Sequence, residues 1–250
     1  MLHEVRALAH WHTLAFASDV HLDAQSPNTA QRWHQALASL ECEALFLLGD
    51  MFEAWIGDDV LLAPPSVESD FARWCVAELR KASQRMAIYY MHGNRDFLVG
   101  TAFAQASGVT LLNDPCVLVL PDTRRVLLSH GDAWCTDDTA YLAFRSQVRS
   151  ASWQHDFLSQ SIDSRSRQAQ RMREASRNYQ SNRDTPSDVN AALVHRTAEQ
   201  WRCDEVIHGH THRPALHAWP QGGSRRVLTD WEAEHDTPRG EFWMLSTPTW

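Results

Sequence analysis

The run Leu45-Phe46-Leu47-Leu48 stops at Gly49-Asp50. A continuous apolar stretch of strand length reads as a strand buried on both faces. Its polar end puts an aspartate on the rim of a rigid sheet, after a glycine free to turn sharply. Open α/β sheets bind ligands at that rim. Gly-Asp alone ends many ordinary strands. Here four other strand-like runs also end in polar clusters: Ser18-Asp19-Val20-His21, His92-Gly93-Asn94-Arg95-Asp96, His130-Gly131-Asp132 and His208-Gly209-His210-Thr211-His212. A chain built this way is constrained to an α/β fold whose strand ends carry a common site.

The segments between the clusters suit such a fold. Thr13 to Ser18 and Met86 to Met91 read as further strands. Thr29 to Leu40 and Ser66 to Gln84 place apolar residues at helical spacing. Phe97 to Ala106 reads as a short helix stopped by Gly108. Cys116 to Leu120 and Arg125 to Ser129 read as a hairpin around Pro121-Asp122. Glu205 to His208, Ala215 to Trp219, Arg225 to Trp231 and Glu241 to Leu245 read as strands that finish the domain. With 250 residues and 44% hydrophobic content, the chain can bury one sizeable core, so a single domain over 1–250 is expected.

Asp138 to Trp201 differs in character. It lacks glycine and reads as several helices, and we expect a helical insertion over 138–201. From Arg145 to Arg183 there are eight arginines against Asp156, Asp163 and Glu174, a local charge of +5. The chain as a whole carries −8, so the remainder carries −13. That balance argues against a nucleic-acid binder. The five cysteines form no Cys-x-x-Cys pair and read as free buried thiols of a reducing compartment. Met1 to His12 has no apolar run of a signal peptide, and no stretch nears the ~18 apolar residues of a membrane span. The expectation is a cytoplasmic protein, or one attached only to a membrane surface, with no obligate protein partner evident.

Asp19 and His21 are two apart, and so are His210 and His212. In a continuous strand each pair would share a face. Asp50, Asn94 and His130 stand singly at strand ends. Together they offer seven oxygen and imidazole-nitrogen donors and no thiolate, a set suited to Mn²⁺, Fe²⁺, Zn²⁺ or Co²⁺. With Asp50 bridging, they make two sites of four ligands each. Two ions ~3.5–4 Å apart can bind a phosphate ester, generate hydroxide near neutral pH and stabilise in-line attack. Asp96, Asp132 and His208 are expected to support the ligands rather than join them. Asp58 and Asp59 carry no assignable role.

Asp-x-His, Gly-Asp, Gly-Asn-Arg-Asp, His-Gly-Asp and Gly-His-Thr-His in this order resemble the calcineurin-like metallophosphoesterase superfamily, from about Leu14 to the last strand. The resemblance implies an α/β (α+β) sandwich, two mixed β-sheets flanked by helices, and phosphoester or pyrophosphate hydrolysis. Longer strings narrow it. Gly49-Asp50-Met51-Phe52-Glu53-Ala54-Trp55-Ile56-Gly57-Asp58-Asp59, Gly93-Asn94-Arg95-Asp96-Phe97-Leu98, Cys135-Thr136-Asp137-Asp138 and His208-Gly209-His210-Thr211-His212-Arg213-Pro214 are similar to the UDP-2,3-diacylglucosamine hydrolase family of lipid A biosynthesis. That family cleaves the pyrophosphate of its lipid-linked UDP-sugar by water attack on the α-phosphorus. It typically uses Mn²⁺ and sits at the cytoplasmic face of the Gram-negative inner membrane.

Carried over by position, the resemblance implies one Mn²⁺ on Asp19, His21, Asp50 and His212, and a second on Asp50, Asn94, His130 and His210. It implies catalytic roles for Asp50, His210 and Arg95, and substrate contacts at Asn94, Arg95, Asp138, Ser176, Gln180, Arg183 and His210. Where the family has asparagine and then lysine, this chain has Gln180 and Arg183, both still donors. The insertion would form a lid whose apolar side receives acyl chains, with Trp153, Phe157, Leu158, Ile162, Met172 and Tyr179 as candidates. Helical apolar stripes also serve ordinary cores.

Four rivals stand beside this reading. A phosphoprotein phosphatase would follow Gly-Asp with Val-Asp-Arg-Gly, where this chain has Met51-Phe52-Glu53-Ala54. A nuclease would want a broader basic surface. A soluble sugar-nucleotide pyrophosphatase would share the chemistry without the acyl groove. A scaffold that has lost its metals would lack ligands, and all seven are present.

Overall fold

The computed structural model describes residues 1–181 and 187–247, the side chains of Gln180 and Ser181 excepted. Ten strands form one hydrogen-bonded network: β1 (Leu2–Arg6), β2 (Thr13–Ala17), β3 (Ala44–Leu48), β4 (Ala87–Met91), β5 (Thr110–Val119), β6 (Arg125–Ser129), β7 (Glu205–His208), β8 (Ala215–Ala218), β9 (Ser224–Val227) and β10 (Trp243–Ser246). Their order is β10-β2-β3-β4-β5-β6-β7-β9-β8, with β1 paired to β5. The pairs β2–β3–β4–β5 and β6–β7–β9 are parallel, while β10 and β8 close the two ends antiparallel.

The two mixed sheets expected from the sequence are the halves of this network. Strand β5 belongs to both. Its first residues pair with β4, Tyr89 to Thr110 through Met91 to Leu112, and its last residues pair with β6, Cys116 to Leu128 through Val119 to Arg125. Pro115 lies where the partner changes and has no N–H to give to a ladder.

Side-chain alternation builds four layers. Leu14, Phe16, Ala44, Phe46 and Leu48 point inward and meet Cys116, Leu118, Val126, Leu128 and Ile207 of the other half. Phe16, Phe46 and Tyr89 stack across β2, β3 and β4, with centroids 5.1 and 4.9 Å apart. The alternate residues Ala15, Leu45, Leu47 and Ile88 face helices α1 (Pro27–Ser39), α2 (Val67–Ala82) and α3 (Thr101–Ser107). On the other half, Val117, Leu127 and Val206 face α7 (Ala191–Gln200). Because β2, β3 and β6 are covered on both faces, they read as unbroken apolar runs.

Between β6 and α7 come α4 (Thr139–Val148), α5 (Ala151–Leu158) and α6 (Ile162–Ser181). Helix α6 is anchored by Arg165, which is fully buried and donates to the Ile56 carbonyl at 2.6 Å and to the Asp59 carboxylate. Here Asp59 acquires a role. Asp58 serves α3, accepting from the Gly100 and Phe103 amides and from the Trp55 indole. Arg165→Ala orphans the Ile56 carbonyl and should cost about 1–3 kcal/mol of stability. Asp59 has a side chain 55% exposed, so Asp59→Asn should cost less than about 1 kcal/mol. Denaturant unfolding of both variants checks this, and equal losses would mean that the ion pair is the anchor.

Four elements differ from the sequence reading, the first being β5, which starts at Thr110 rather than Cys116. Strand β1 was not expected, because only Val5 of its five residues is buried and no apolar run marks it. Helix α3 starts at Thr101 rather than Phe97, since Phe97 and Leu98 turn toward a groove beside the site. Strand β9 ends at Val227, and Thr229-Asp230-Trp231 leaves the sheet to reach the site.

Candidate metal centre and its groove

The loops after β2, β3, β4, β6 and β7 are bonded to one another. Asp19 N–H donates to Gly49 O and His21 N–H to Asp50 O, both at 3.0 Å, and Gly209 N–H donates to His130 O at 3.0 Å. The packing is tight enough to require glycine. A Cβ on Gly93 would lie 2.0 Å from Asp50 Oδ1, and one on Gly49 would lie 2.6 Å from His130 Nδ1.

Asp19, His21, Asp50, His210 and His212 all have positive φ, between 51° and 68°. The two-residue spacing of each pair is therefore not strand alternation. The strands stop first, and left-handed turns aim the side chains. Each such residue costs on the order of 1–3 kcal/mol, a strain that marks functional loops.

The side chains converge as two overlapping groups. His21 Nε2 and His212 Nε2 are 3.3 Å apart, and His212 Nε2 is 3.4 Å from Asp19 Oδ1. Asp50 Oδ2 lies 4.0 Å from His21 Nε2 and 3.7 Å from His130 Nε2, so one oxygen stands between the groups. Asn94 Oδ1 is 2.9 Å from His130 Nε2. His210 packs edge-on to His130, and its amide donates to Asp19 Oδ2 at 2.8 Å. Two triads, Asp19–His21–His212 and Asp19–Asp50–His130, have ligand atoms close enough to share an ion.

These residues fit divalent cations. Asp19 Oδ1 is a buried oxygen without a hydrogen-bond partner. The outer nitrogens of the imidazoles are engaged: His21 Nδ1 with Glu53 at 3.0 Å, His130 Nδ1 with Leu48 O at 2.9 Å, and His212 Nδ1 with Asp230 at 3.4 Å. That leaves each Nε2 lone pair for a cation. Burial and mutual charge shift the titratable groups of the cluster. Burial would raise Asp19, yet the His212 imidazole 3.4 Å away and the imidazoles of His130 and His21 hold it well below the carboxylate range. Burial and neighbouring carboxylates push Asp50 up to about 6. Burial would lower His130, but Asp50 and Asp19 push it up to about 9. Burial and His130 push His210 down to about 3.

Supporting residues surround the cluster. Asp96 accepts from Met51 N–H at 2.8 Å and Gly93 N–H at 2.7 Å, joining the Asp50 and Asn94 loops. Asp132 accepts from the Tyr141 hydroxyl at 2.5 Å and Arg145 Nε at 2.7 Å. His208 is fully buried behind the ligands, edge-on to Trp134. Glu53 and Asp230 were not foreseen. Asp230 had a signal, since it too follows a strand. Glu53 had none.

A groove of about 320 Å³ opens beside Asn94 and Arg95. Glu53, Arg95, Arg173 and Ser176 make its polar end, and Trp55, Phe97, Tyr141, Phe144, Trp153, Phe157, Met172 and Tyr179 line the rest. Leu158 and Ile162 are not in its wall. Leu158 packs near Gly57 instead. Asp138 caps α4 by accepting from Tyr141 N–H at 3.0 Å, and the Tyr179 hydroxyl donates to it at 3.2 Å, so it ties α4 to α6. Arg183 and the side chain of Gln180 lie outside the described residues.

Residues 12–214 match the family model of the calcineurin-like phosphoesterases. A UDP-2,3-diacylglucosamine hydrolase of Bordetella pertussis is 44% identical over 93% of this chain and 91% of its own length. One of Xanthomonas oryzae is 43% identical over 88% of this chain and 91% of its own. Among solved structures, a Vps29 from Entamoeba histolytica complexed with zinc has a TM-score of 0.44 and 15% identity, over 94% of this chain and 86% of that one, too distant to add to the family match. The chain thus belongs to the calcineurin-like phosphoesterases and, within them, to the family of these UDP-2,3-diacylglucosamine hydrolases.

Proposed function

We propose that the chain hydrolyses the pyrophosphate bond of UDP-2,3-diacylglucosamine to UMP and 2,3-diacylglucosamine 1-phosphate by water attack on the α-phosphorus. The relatives are hydrolases of that name, and phosphoesterases of this superfamily are metal-dependent. The observation that carries the reading to this chain is the groove. A polar end beside the candidate ligands continues into an apolar channel, as a diphosphate joined to acyl chains demands. We assign one Mn²⁺ to Asp19, His21, Asp50 and His212, and a second to Asp50, Asn94, His130 and His210. Two such ions supply Lewis-acid charge and activate water near neutral pH.

The protein's own residues do the rest. Arg95 follows a candidate ligand in sequence, its backbone N–H donates to Asp50 Oδ1 at 2.7 Å, and its side chain lines the groove, so we assign its guanidinium to the phosphates. Its planar fork suits a phosphoryl group. His210 is assigned to the reacting phosphate. Ser176 shares the polar end with Arg173, and we carry Asp138, Gln180 and Arg183 as further substrate contacts. No serine or cysteine lies in the ligand motifs beside a free base, so no covalent enzyme intermediate is expected. Among the described residues no helix is long and apolar enough to cross a membrane. Phe144, Leu158 and Tyr179 are 40–45% exposed on α4–α6, which supports peripheral attachment to a membrane surface, and we assign it to the cytoplasmic face of the inner membrane.

The test is hydrolysis of diacylated and non-acylated UDP-glucosamine with Mn²⁺ in ¹⁸O-labelled water. UMP carrying the label, with strong preference for the diacyl substrate, is expected. Equal turnover of both would favour a soluble substrate. Label only on the sugar phosphate would mean attack on the other phosphorus.

A further inference from the structure

Among the described residues, Glu53 is the acidic side chain that lies against both a candidate metal ligand and helix α6. Its two carboxylate oxygens face different partners. Oε2 lies 3.0 Å from His21 Nδ1. Oε1 faces Arg95 at 3.9 Å, Arg173 at 3.9 Å and Arg177 at 3.8 Å. Arg173 also donates to Asp23 Oδ2 at 3.0 Å. Separations of 3.8–3.9 Å are too long for hydrogen bonds. The guanidinium groups are gathered by charge and, the Arg173 bond to Asp23 apart, keep their donors for an incoming anion. Two of the three stand on α6, while the third follows Asn94 on the β4 loop.

We infer that Glu53 is a positioning residue that couples the metal site to α6. Through Oε2 it fixes the tautomer and aim of His21. Through Oε1 it holds α6 over the groove by attraction for Arg173 and Arg177. The diphosphate then competes with Glu53 for the same guanidinium groups, so substrate binding takes over a contact that already places them. The inference rests on the metal and groove reading above and adds a residue that the reading does not use.

The two functions separate in one substitution. In Glu53→Gln, the amide oxygen can still accept from His21, which turns the NH₂ toward the arginines and removes the attracting charge. Glu53→Ala removes both. The measurements are Mn²⁺ titration of the metal-free proteins by calorimetry, hydrogen exchange along residues 162–181, and kcat and KM on the diacyl substrate. Glu53→Gln should bind Mn²⁺ nearly as the parent does. Glu53→Ala should bind it about 10–100-fold more weakly, as loss of an orienting partner does. Both should lose exchange protection in α6, and both should raise KM by about tenfold or more, the worth of contacts between charged groups.

Equal Mn²⁺ loss in both variants with unchanged α6 protection would overturn the coupling, as would Mn²⁺ affinity untouched in Glu53→Ala. The titration and exchange arms need no substrate, so they stand apart from the choice of substrate. A parent protein that takes up no Mn²⁺ would overturn the metal reading itself, and this inference with it.

Discussion

Asp50→Asn should abolish hydrolysis and uptake of both metal ions while leaving the fold in place. The two oxygens of Asp50 have separate duties. Oδ1 accepts from Arg95 N–H at 2.7 Å and keeps the β4 loop seated. Oδ2 stands 3.7 Å from His130 Nε2 and 4.0 Å from His21 Nε2, between the two groups of ligands. Asparagine can keep the first contact but puts an NH₂ where the shared oxygen belongs. Loss of a residue that only orients a ligand costs ~10–100-fold in affinity or activity, so loss of the shared ligand should exceed that range. Mn²⁺ at about 100 times its Kd adds ~2.7 kcal/mol to the stability of a protein that binds it folded. The unfolding midpoint of the parent should therefore rise with Mn²⁺, and that of Asp50→Asn should not. His212→Ala should chiefly weaken one site and His130→Ala the other. An active enzyme with one tight ion per chain would remove the case for a shared carboxylate.

The candidate ligands of this centre were legible in the sequence because of how the sheet is covered. Strands buried on both faces leave unbroken apolar runs, and the polar residues at their ends then stand out. Asp19, Asp50, Asn94, His130, His210 and His212 were all visible for that reason. What the sequence could not convey is how they are aimed. Spacing suggested strand alternation, whereas left-handed turns at Asp19, His21, His210 and His212 point the side chains. Glu53 was invisible because its meaning depends on α6 arriving from more than a hundred residues later in the chain. Strand β1 was missed because it buries only one side chain.

The apolar residues of α4–α6 were ambiguous for a related reason. A helical stripe looks the same whether it faces a core or a groove. In the structure Phe157 does both, buried in the main core and lining the groove, while Phe144 and Met172 line the groove without being core residues. No pattern in the sequence separates those cases, since the difference is set by tertiary packing.

Met172→Asp and Phe144→Asp should therefore erase most of the preference for the acylated substrate without touching the head-group chemistry. Both side chains line the groove, and neither is a candidate metal ligand. Phe144 is already 40% exposed, so a carboxylate there can reach water in the free protein. With an acyl chain in the groove, that carboxylate must either lose water or leave the chain wet. Each buried CH₂ contributes ~0.8 kcal/mol. Wetting only about four of them loses ~3 kcal/mol, a factor on the order of 100 in kcat/KM. The same variants should turn over non-acylated UDP-glucosamine as the parent does and should bind Mn²⁺ unchanged, because no ligand contacts either residue. The measurement is the ratio of kcat/KM for the two substrates. A ratio unchanged in both variants would mean that the groove does not hold the acyl chains, and a soluble sugar nucleotide would then become the better reading of the same metal centre.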